Sequence, residues 1–206
     1  MSDYLVGLTG GIACGKSNLT NALKRNGVPV VDADAISRSL TAENGAALPL
    51  LRDAFGNEIF DGERLNRRRL GQLVFADAEK REALNALLHP MIFARMREEI
   101  DSRPGIVVMD VPLLYECGLD KWCDEVWCAY VPQKEQIARL RLRDGITRQA
   151  ALQKIHAQMP VLEKARRSQR VIRTDGSMED SARIVLSLYE QLKERLAARK
   201  EEHRGA

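Results

Sequence analysis

The segment 4–27 places a short apolar run, a glycine-rich turn and a helical pattern in immediate succession. The turn, at residues 10–17, reads GGIACGKS and fits the pattern G-x-x-x-x-G-K-[ST]. Glycines let main-chain N–H groups turn inward around phosphate oxygens, and the positive end of the following helix dipole faces the same oxygens. The sequence therefore predicts a β-strand, a phosphate-binding loop and a helix, which together indicate an α/β fold.

The loop predicts a nucleoside triphosphate site that also holds Mg²⁺. Lys16 is expected to contact the β- and γ-phosphates, and the Ser17 hydroxyl is expected to ligate the metal. Asp110 ends the apolar run at residues 106–110, where a phosphate-loop fold places a metal-facing acid, so it is the second candidate ligand. The predicted cofactor-binding residues of the loop and its helix are Gly11, Ile12, Ala13, Cys14, Gly15, Lys16, Ser17 and Asn18.

The composition and net charge limit the kinds of molecule that this chain is expected to bind. The chain has 206 residues, 45% of them hydrophobic and 30% charged, so it is long enough for one compact domain with a substantial core. Its formal net charge of +3 suits an anionic small molecule but is too small to indicate DNA or RNA binding. No apolar stretch is as long as a membrane span, and no signal peptide is evident. We therefore expect a cytoplasmic protein without a nucleic-acid or membrane partner.

The four cysteines, at positions 14, 117, 123 and 128, lack C-x-x-C spacing and a matching histidine pair. This favours reduced thiols over zinc ligands or disulfides. Cys14 lies in the loop, close to Lys16 and to a helix N-terminus, and both neighbours favour a thiolate. Oxidation of Cys14 is therefore a hypothesis for blocking nucleotide binding.

Strand-like runs alternate with helical patterns along the chain. The runs lie at residues 4–8, 28–31, 106–111, 126–131 and 170–173. This alternation predicts a five-stranded parallel sheet covered by helices, with ligands at the carboxyl ends of the strands.

Two segments are longer than a simple crossover between strands requires. Residues 34–103 are expected to form a helical substrate-binding insert with a turn at residues 55–63, and the basic segment 141–167 is expected to form a helical lid. The nucleotide-binding core is then built from residues 1–33, 104–140 and 168–206. The predicted architecture is a three-layer phosphate-loop (P-loop) NTPase fold in a single domain.

Two aspartates follow the second strand-like run, in the sequence VVDAD at residues 30–34. Alternate residues of an extended segment share a face, so Asp32 and Asp34 can both point at the predicted site. A carboxylate beside Mg²⁺ and phosphates stays ionised and can accept the proton of an attacking hydroxyl. One of the pair can instead cap the helix that follows. We favour Asp34 as the catalytic base.

Other charged residues extend the predicted site. Arg139 and Arg143 are four residues apart on one helical face, where a lid delivers arginines that neutralise a transferring phosphoryl group; the alternative is a solvated basic face. Glu116 lies in a stretch that could shape a pocket wall. No N-K-x-D run for guanine recognition is present, which disfavours a GTPase. A phosphoryl transferase acting on a small hydroxyl or phosphate acceptor fits this chemistry best.

A series of motifs occurs in a fixed order over residues 4–178: TGGIACGKS, VVDAD, the Phe55-Gly56 turn, LNRRRLGQLVF, LLHPMI, VPLLYE, RLRLRDGIT, Gln158-Met159-Pro160 and Glu163-Lys164. Together they resemble the dephospho-CoA kinase family. The resemblance implies transfer of the ATP γ-phosphoryl group to the ribose 3′-hydroxyl of dephospho-CoA, giving CoA. It also implies a phosphate-loop core, a helical substrate-binding domain and a lid.

The resemblance further implies roles for individual residues. Asp34 takes the position of the base that activates the 3′-hydroxyl, while Lys16 and Ser17 take the triphosphate and Mg²⁺ roles. The lid arginine is Arg139 or Arg143. The acceptor side of the family falls on Thr9, Arg67, His89, Leu113 and Glu116, and the adenine side on Thr174 and Gly176.

The chain departs from the family pattern near the adenine pocket. Where the family has AD-x-VI-D-N, residues 168–174 read SQRVIRT, so Thr174, Asp175 or main-chain groups must read the base, and use of GTP stays open. Ala13-Cys14 replaces a more usual Gly-Ser in the loop. The alternative functions are a nucleoside or nucleoside-monophosphate kinase on the same scaffold, and a nucleotide-binding regulator without catalysis.

Overall fold

The computed structural model describes residues 2–204 and the side chains of residues 2–201. The chain forms two compact units. The first contains the residues up to Val31 together with those from Arg103 onward, and the second is Asp32–Ser102. No helix in the described part of the chain has the length and apolar character that crossing a membrane requires.

The first unit is built around a five-stranded parallel sheet, as the alternating runs predict. In spatial order the strands are β2 (Val30–Asp32), β5 (Ile106–Asp110), β1 (Tyr4–Gly10), β6 (Glu125–Tyr130) and β7 (Arg170–Arg173). The register places Leu8 of β1 beside Asp110 on one side and Trp127 on the other. All residues of β1 after Tyr4 are buried, which is typical of a parallel strand covered on both faces.

Helices pack on the sheet to give three layers. α1 (Lys16–Arg25) follows the loop directly and contacts both β1 and the long helix α9 (Met178–Arg204). Leu19 of α1 and Trp127 of β6 belong to the same buried cluster. The other helices of this unit are α6 (Gln133–Asp144), α7 (Arg148–His156), α8 (Val161–Arg167) and a 3₁₀ turn, Leu119–Trp122. α8 contacts β1 and β6.

Glu125, the first residue of β6, is a buried carboxylate that accepts several hydrogen bonds. Its donors are Trp127 Nε1 at 2.8 Å, Arg170 Nε at 3.3 Å, Tyr4 OH at 3.4 Å and the guanidinium of Arg195. Burial alone would raise the pKa of Glu125, but the bonds from Arg195 and Trp127 outweigh it and hold that pKa below its usual value. This ion-pair network joins the amino end of β6 to β7 and α9.

The second unit has its own core. Its helices are α2 (Ala33–Leu40), α3 (Leu48–Phe55), α4 (Arg67–Ala76) and α5 (Ala78–Asp101), with a 3₁₀ turn at Asn57–Ile59 and the strands β3 (Phe60–Asp61) and β4 (Arg64–Leu65). Six buried residues form the centre of the core: Ala47, Leu51, Phe55, Ile59, Phe60 and Leu70. This separate core explains why the unit is compact by itself.

Side-chain caps define where three of these helices begin. Asp32 accepts a hydrogen bond from the N–H of Ala35 at 2.9 Å, and Asn66 accepts one from the N–H of Arg69 at 3.0 Å. Asp77 caps α5 in the same way. Each bond satisfies an N–H group that has no partner within the helix. Asp32 therefore takes the capping role that the sequence left open between the two aspartates.

The second unit also differs from a purely helical insert. Residues 55–63, predicted as a turn within a helical stretch, overlap the β3–β4 hairpin, in which Phe60 faces Leu65 and Gly62 has φ 63°. Two-residue strands carry almost no periodic signal, so only the turn is visible in the sequence.

Candidate active site

The loop between β1 and α1 is held tightly by its surroundings. A Cβ on Gly10 would lie 2.8 Å from the carbonyl oxygen of Ala129, and one on Gly11 would lie 2.6 Å from Gln136 Nε2. Gly15 has φ 74° and precedes the first residue of α1. These positions need glycine because a side chain has no room or because the main chain is left-handed.

Lys16 and Asp110 form a largely buried ion pair next to the loop. The Lys16 ammonium donates to one carboxylate oxygen of Asp110, and the Thr20 hydroxyl donates to the other at 2.7 Å. Asp110 is buried at the carboxyl end of β5, beside the end of β1. Lys16 and Asp110, both predicted at this edge of the sheet, are therefore in contact. Thr20 was not foreseen, although its place four residues after Lys16 on α1 puts it on the same helical face.

Ser17 and Asn18 occupy the first turn of α1. Ser17 is exposed, and Asn18 donates from its side-chain amide to the carbonyl of Met178 at 2.8 Å. Within the described residues, no group of three or more His, Cys, Asp or Glu side chains is arranged to hold a metal ion. Of the two residues predicted to ligate Mg²⁺, Ser17 has an exposed side chain at the end of the loop, and the Asp110 carboxylate accepts from Lys16 and Thr20.

Arg139 and Arg143 have different surroundings. Arg139 donates to the carbonyl of Thr174 at 2.6 Å and to the carbonyl of Ala13 at 3.4 Å, so its guanidinium lies against the loop. Arg143 is exposed and pairs with Asp144 at 2.7 Å. Of the two arginines proposed from the sequence, Arg139 is the one beside the phosphate-binding loop.

Thr174 follows β7 and is buried against the same loop. Its hydroxyl donates to the carbonyl of Cys14 at 2.7 Å, and its N–H donates to the carbonyl of Tyr130 at 3.1 Å. With its carbonyl accepting from Arg139, each polar group of Thr174 has a partner in the protein. Gly176 lies two residues further on, where an added Cβ would have only Asp180 Oδ2 nearby, at 3.8 Å.

A second polar network fixes the turn that follows β5. Lys164 is fully buried, and its ammonium donates to Glu116 at 2.8 Å and to the carbonyl of Pro112 at 2.7 Å. Thr9, also fully buried, donates to the same Pro112 carbonyl at 3.1 Å. The Thr9 hydroxyl thus supports this turn, and its contact with the acceptor stays a prediction. Leu113 is the exposed apolar residue there.

Cys14 does not have the environment of a reactive thiol. Its side chain is buried in the main core, and burial raises the pKa of the thiol above its usual value. Because the neutral thiol is favoured, the expectation of a thiolate in the loop is wrong. The sequence places Cys14 near Lys16 and the helix N-terminus, but it does not show the burial of the side chain, which has the largest effect on the pKa of this thiol.

The second unit carries three of the residues predicted to act on the acceptor. Asp34 lies in the first turn of α2 and is exposed. His89, on α5, stacks on Phe93 with ring centroids 5.3 Å apart, and burial lowers the pKa of its imidazole, which favours the neutral ring. Arg67 donates to the carbonyl groups of Arg38 and Thr41 at 3.2 and 3.1 Å, at the end of α2. Asp32 caps α2, whereas the exposed Asp34 does not, and this difference distinguishes the two aspartates.

Comparisons with known proteins agree on one family. The sequence profile of the dephospho-CoA kinase family matches residues 4–180. A dephospho-CoA kinase of Carboxydothermus hydrogenoformans is 38% identical over 195 residues, covering 92% of this chain and 94% of the relative, and one of Arabidopsis thaliana is 39% identical over 182 residues, covering 85% and 78%.

Solved structures show the same fold. TT1252 from Thermus thermophilus has a TM-score of 0.79 at 32% identity and covers 93% of this chain and 99% of its own. A dephospho-CoA kinase from Campylobacter jejuni has a TM-score of 0.68 at 23% identity, covering 93% and 98%. The profile match and the sequence identities extend over almost the whole length. The chain therefore belongs to the dephospho-CoA kinase family.

Proposed function

We propose that this chain transfers the γ-phosphoryl group of ATP to the ribose 3′-hydroxyl of dephospho-CoA, which gives CoA and ADP. The observation that carries the proposal is the pairing of Lys16, the residue directly after the glycine-rich loop, with the buried Asp110. In a family whose profile spans residues 4–180, this is the arrangement that binding and polarising a triphosphate requires. A nucleotide-binding regulator without catalysis would not need a base such as Asp34, and the family does not favour a nucleoside kinase.

The loop and its neighbours are proposed to bind ATP. The proposed main-chain donors lie within residues 11–18, apart from the N–H groups of Ile12, Cys14 and Asn18, which bond to Gln158, Gly11 and Gly15. The N-terminus of α1 adds its dipole. Arg139 and Thr174 donate to carbonyl groups of the loop, so both act on ATP through the conformation of the loop, and Arg139 also acts by its charge. Gly176, which has open space around it, is the proposed main-chain contact for the base.

Mg²⁺ is proposed as the metal of the reaction. The Ser17 hydroxyl and the Asp110 carboxylate are the oxygen donors that Mg²⁺ prefers, and Mg²⁺ typically takes one or two protein ligands with phosphates and waters for the rest. The residues therefore fit the ion. Bound there, it would neutralise charge on the phosphate oxygens.

Asp34 is the proposed general base. As the 3′-oxygen forms a bond to the γ-phosphorus, the bond from that phosphorus to the bridging oxygen of ADP breaks, and the hydroxyl proton passes to the Asp34 carboxylate and then to water. Lys16 and Arg139 would stabilise the charge that develops on the transferring group. Arg143 is the weaker candidate, because its exposed guanidinium pairs with Asp144, whereas that of Arg139 donates to the loop carbonyl of Ala13.

The second unit is proposed to bind the acceptor, with Arg67 and His89 as polar contacts, and Leu113 of the first unit as an apolar one. Residues 141–167 are proposed as the lid. A cytoplasmic location is supported by four free cysteines, and a net charge of only +3 gives no reason to expect a nucleic-acid partner.

An assay of ADP release tests the function. With ATP and Mg²⁺ present, dephospho-CoA is compared with adenosine, AMP and UMP as acceptors. We expect turnover with dephospho-CoA and rates at least 100-fold lower with the three nucleosides and nucleotides. Comparable turnover with AMP or adenosine would contradict the assignment and support the alternative kinase.

A further inference from the structure

Ile12, in the middle of the loop, is held by two glutamine side chains from outside the loop. Its N–H donates to Gln158 Oε1 at 3.0 Å, and its carbonyl accepts from Gln136 Nε2 at 2.7 Å. Gln136 lies on α6 with 1% of its surface exposed, and Gln158 lies in the turn between α7 and α8. The main-chain N–H of Ile12 is therefore bonded to the proposed lid, residues 141–167, and its carbonyl is bonded to α6.

The next residue explains why the loop needs this support. Ala13 has φ 60°, a left-handed conformation that an L side chain rarely adopts and that glycine adopts freely. Ile12 and Ala13 also pack against the buried cluster of Leu140, Ala151 and Ile155. Because alanine does not favour this conformation by itself, contacts from α6, α7 and the turn at Gln158 must impose it.

The turn that carries Gln158 is itself firmly attached. The N–H of Met159 donates to Glu116 at 2.9 Å, and Glu116 pairs with the fully buried Lys164. Lys164 in turn donates to the carbonyl of Pro112, two residues after Asp110. Gln158 thus sits on a short segment that is bonded both to the loop and to the turn after β5.

We propose that Gln158, with Gln136, is a positioning residue for ATP: it holds the loop in the left-handed conformation at Ala13 that the phosphate cradle uses. The inference rests on the proposed function only in taking ATP as the nucleotide. Gln158 acts through the main chain of Ile12 and does not need to touch the nucleotide. Since it belongs to segment 141–167, it makes the affinity for ATP depend on the position of that segment.

Gln158→Leu removes the acceptor and keeps most of the side-chain volume. One hydrogen bond contributes about 0.5–1.5 kcal/mol net, which at about 1.4 kcal/mol per tenfold corresponds to a roughly 2- to 12-fold change. We expect the Kd for ATP, measured by calorimetry with Mg²⁺, and the KM for ATP to rise by that factor. The kcat and the KM for dephospho-CoA should stay within about twofold. Gln153→Leu, at an exposed position of α7, is the matched control and should change none of these.

Ala13→Gly, added to Gln158→Leu, tests the backbone argument. Glycine populates the left-handed region as readily as the right-handed one, so the double variant should recover at least about twofold of the lost ATP affinity. A merely structural defect of the lid would not be relieved by this change. Gln158→Ala provides a second route if the leucine variant does not fold.

Three results would overturn the inference: unchanged ATP affinity in both Gln158 variants, an equal rise in the KM for dephospho-CoA, or no recovery on adding Ala13→Gly. Failure of the proposed function is distinguishable, because it would leave the parent inactive on dephospho-CoA while ATP binding still follows the pattern above.

Discussion

Replacing Lys16 by methionine is expected to lower both catalysis and stability, and the structure allows the two losses to be separated. The Lys16 and Asp110 side chains are only 13% and 5% exposed. Breaking a buried ion pair costs about 3–5 kcal/mol, because a charge is left buried without its partner. Thr20 continues to donate to Asp110, so we expect the free energy of unfolding to fall by about 2–3 kcal/mol instead. The loss in transition-state stabilisation should be at least ~3 kcal/mol, or more than about 100-fold in kcat.

Asp110→Asn, combined with Lys16→Met, separates the two effects. The asparagine carries no charge that needs compensation, and its carbonyl oxygen can still accept from Thr20. The double variant should therefore recover at least half of the lost unfolding free energy while remaining catalytically inactive. Urea unfolding at constant m-value measures the first quantity, and ADP release with dephospho-CoA measures the second.

The reasoning fails if Lys16→Met retains kcat within a few-fold of the parent. It also fails if Asp110→Asn destabilises the double variant further, since the carboxylate would then be stable without the ammonium.

The other mutational predictions concern the base, the two arginines and a buried carboxylate. Asp34→Asn should lower kcat by about 10²–10⁴ with ATP binding unchanged, whereas Asp53→Asn, at an exposed position of α3, should have no effect. Arg139→Ala should lower kcat/KM for ATP at least about tenfold, and Arg143→Ala at most about threefold, because exposed ion pairs contribute little; equal effects would contradict the placement of Arg139. The folded state holds the pKa of Glu125 below its unfolded value, so its contribution to stability is complete above about pH 4.3 and is lost as the pH falls towards the lower, folded pKa. Glu125→Gln should therefore destabilise by about 1–2 kcal/mol at pH 7 and flatten the acid limb of a stability-against-pH curve.

The fold of the first unit is largely determined by local signals. A buried strand, the glycines of residues 10–17 and a helical repeat in immediate succession allow few other arrangements, and alternation of strands and helices implies a parallel sheet. The sheet then forces Lys16 and Asp110 together, because the carboxyl ends of β1 and β5 are adjacent. The β3–β4 hairpin was not predictable in this way, since its two-residue strands are specified by the core of the second unit rather than by their own pattern.

For the candidate site, the sequence predicts which residues lie near one another where the order of strands and helices determines it, and less well where burial or a single hydrogen bond does. The sequence shows two aspartates at residues 32 and 34, but only the hydrogen bond to Ala35 identifies Asp32 as the cap. The neighbours of Cys14 favour a thiolate, yet burial of the side chain raises its pKa. The glutamines that hold Ile12 lie 124 and 146 residues away along the chain. Gln158 belongs to the Gln158-Met159-Pro160 motif, but that motif does not indicate a contact with the loop.

Thr174 raises the question of how the nucleotide base is selected, and its contacts lead to a prediction. Its hydroxyl donates to the carbonyl of Cys14 and its own carbonyl accepts from Arg139, so both are committed to the loop. Thr174→Val keeps the shape but leaves the Cys14 carbonyl without that donor, which costs about 1–3 kcal/mol. We therefore expect KM to rise at least about fivefold for ATP and for GTP alike, with their ratio unchanged within twofold. Thr174→Ser, which retains the hydroxyl, is the control and should resemble the parent.

The ratio is the informative quantity in this experiment. If Thr174 reads the edge of the base, removing its hydroxyl must change the two nucleotides unequally, because adenine and guanine present different donors and acceptors. If it positions the loop, the loss falls on the phosphates that both nucleotides share. A shift of more than about threefold in the ATP-to-GTP ratio of kcat/KM for Thr174→Val would refute the positioning role and assign base recognition to this side chain, rather than to the main chain near Gly176.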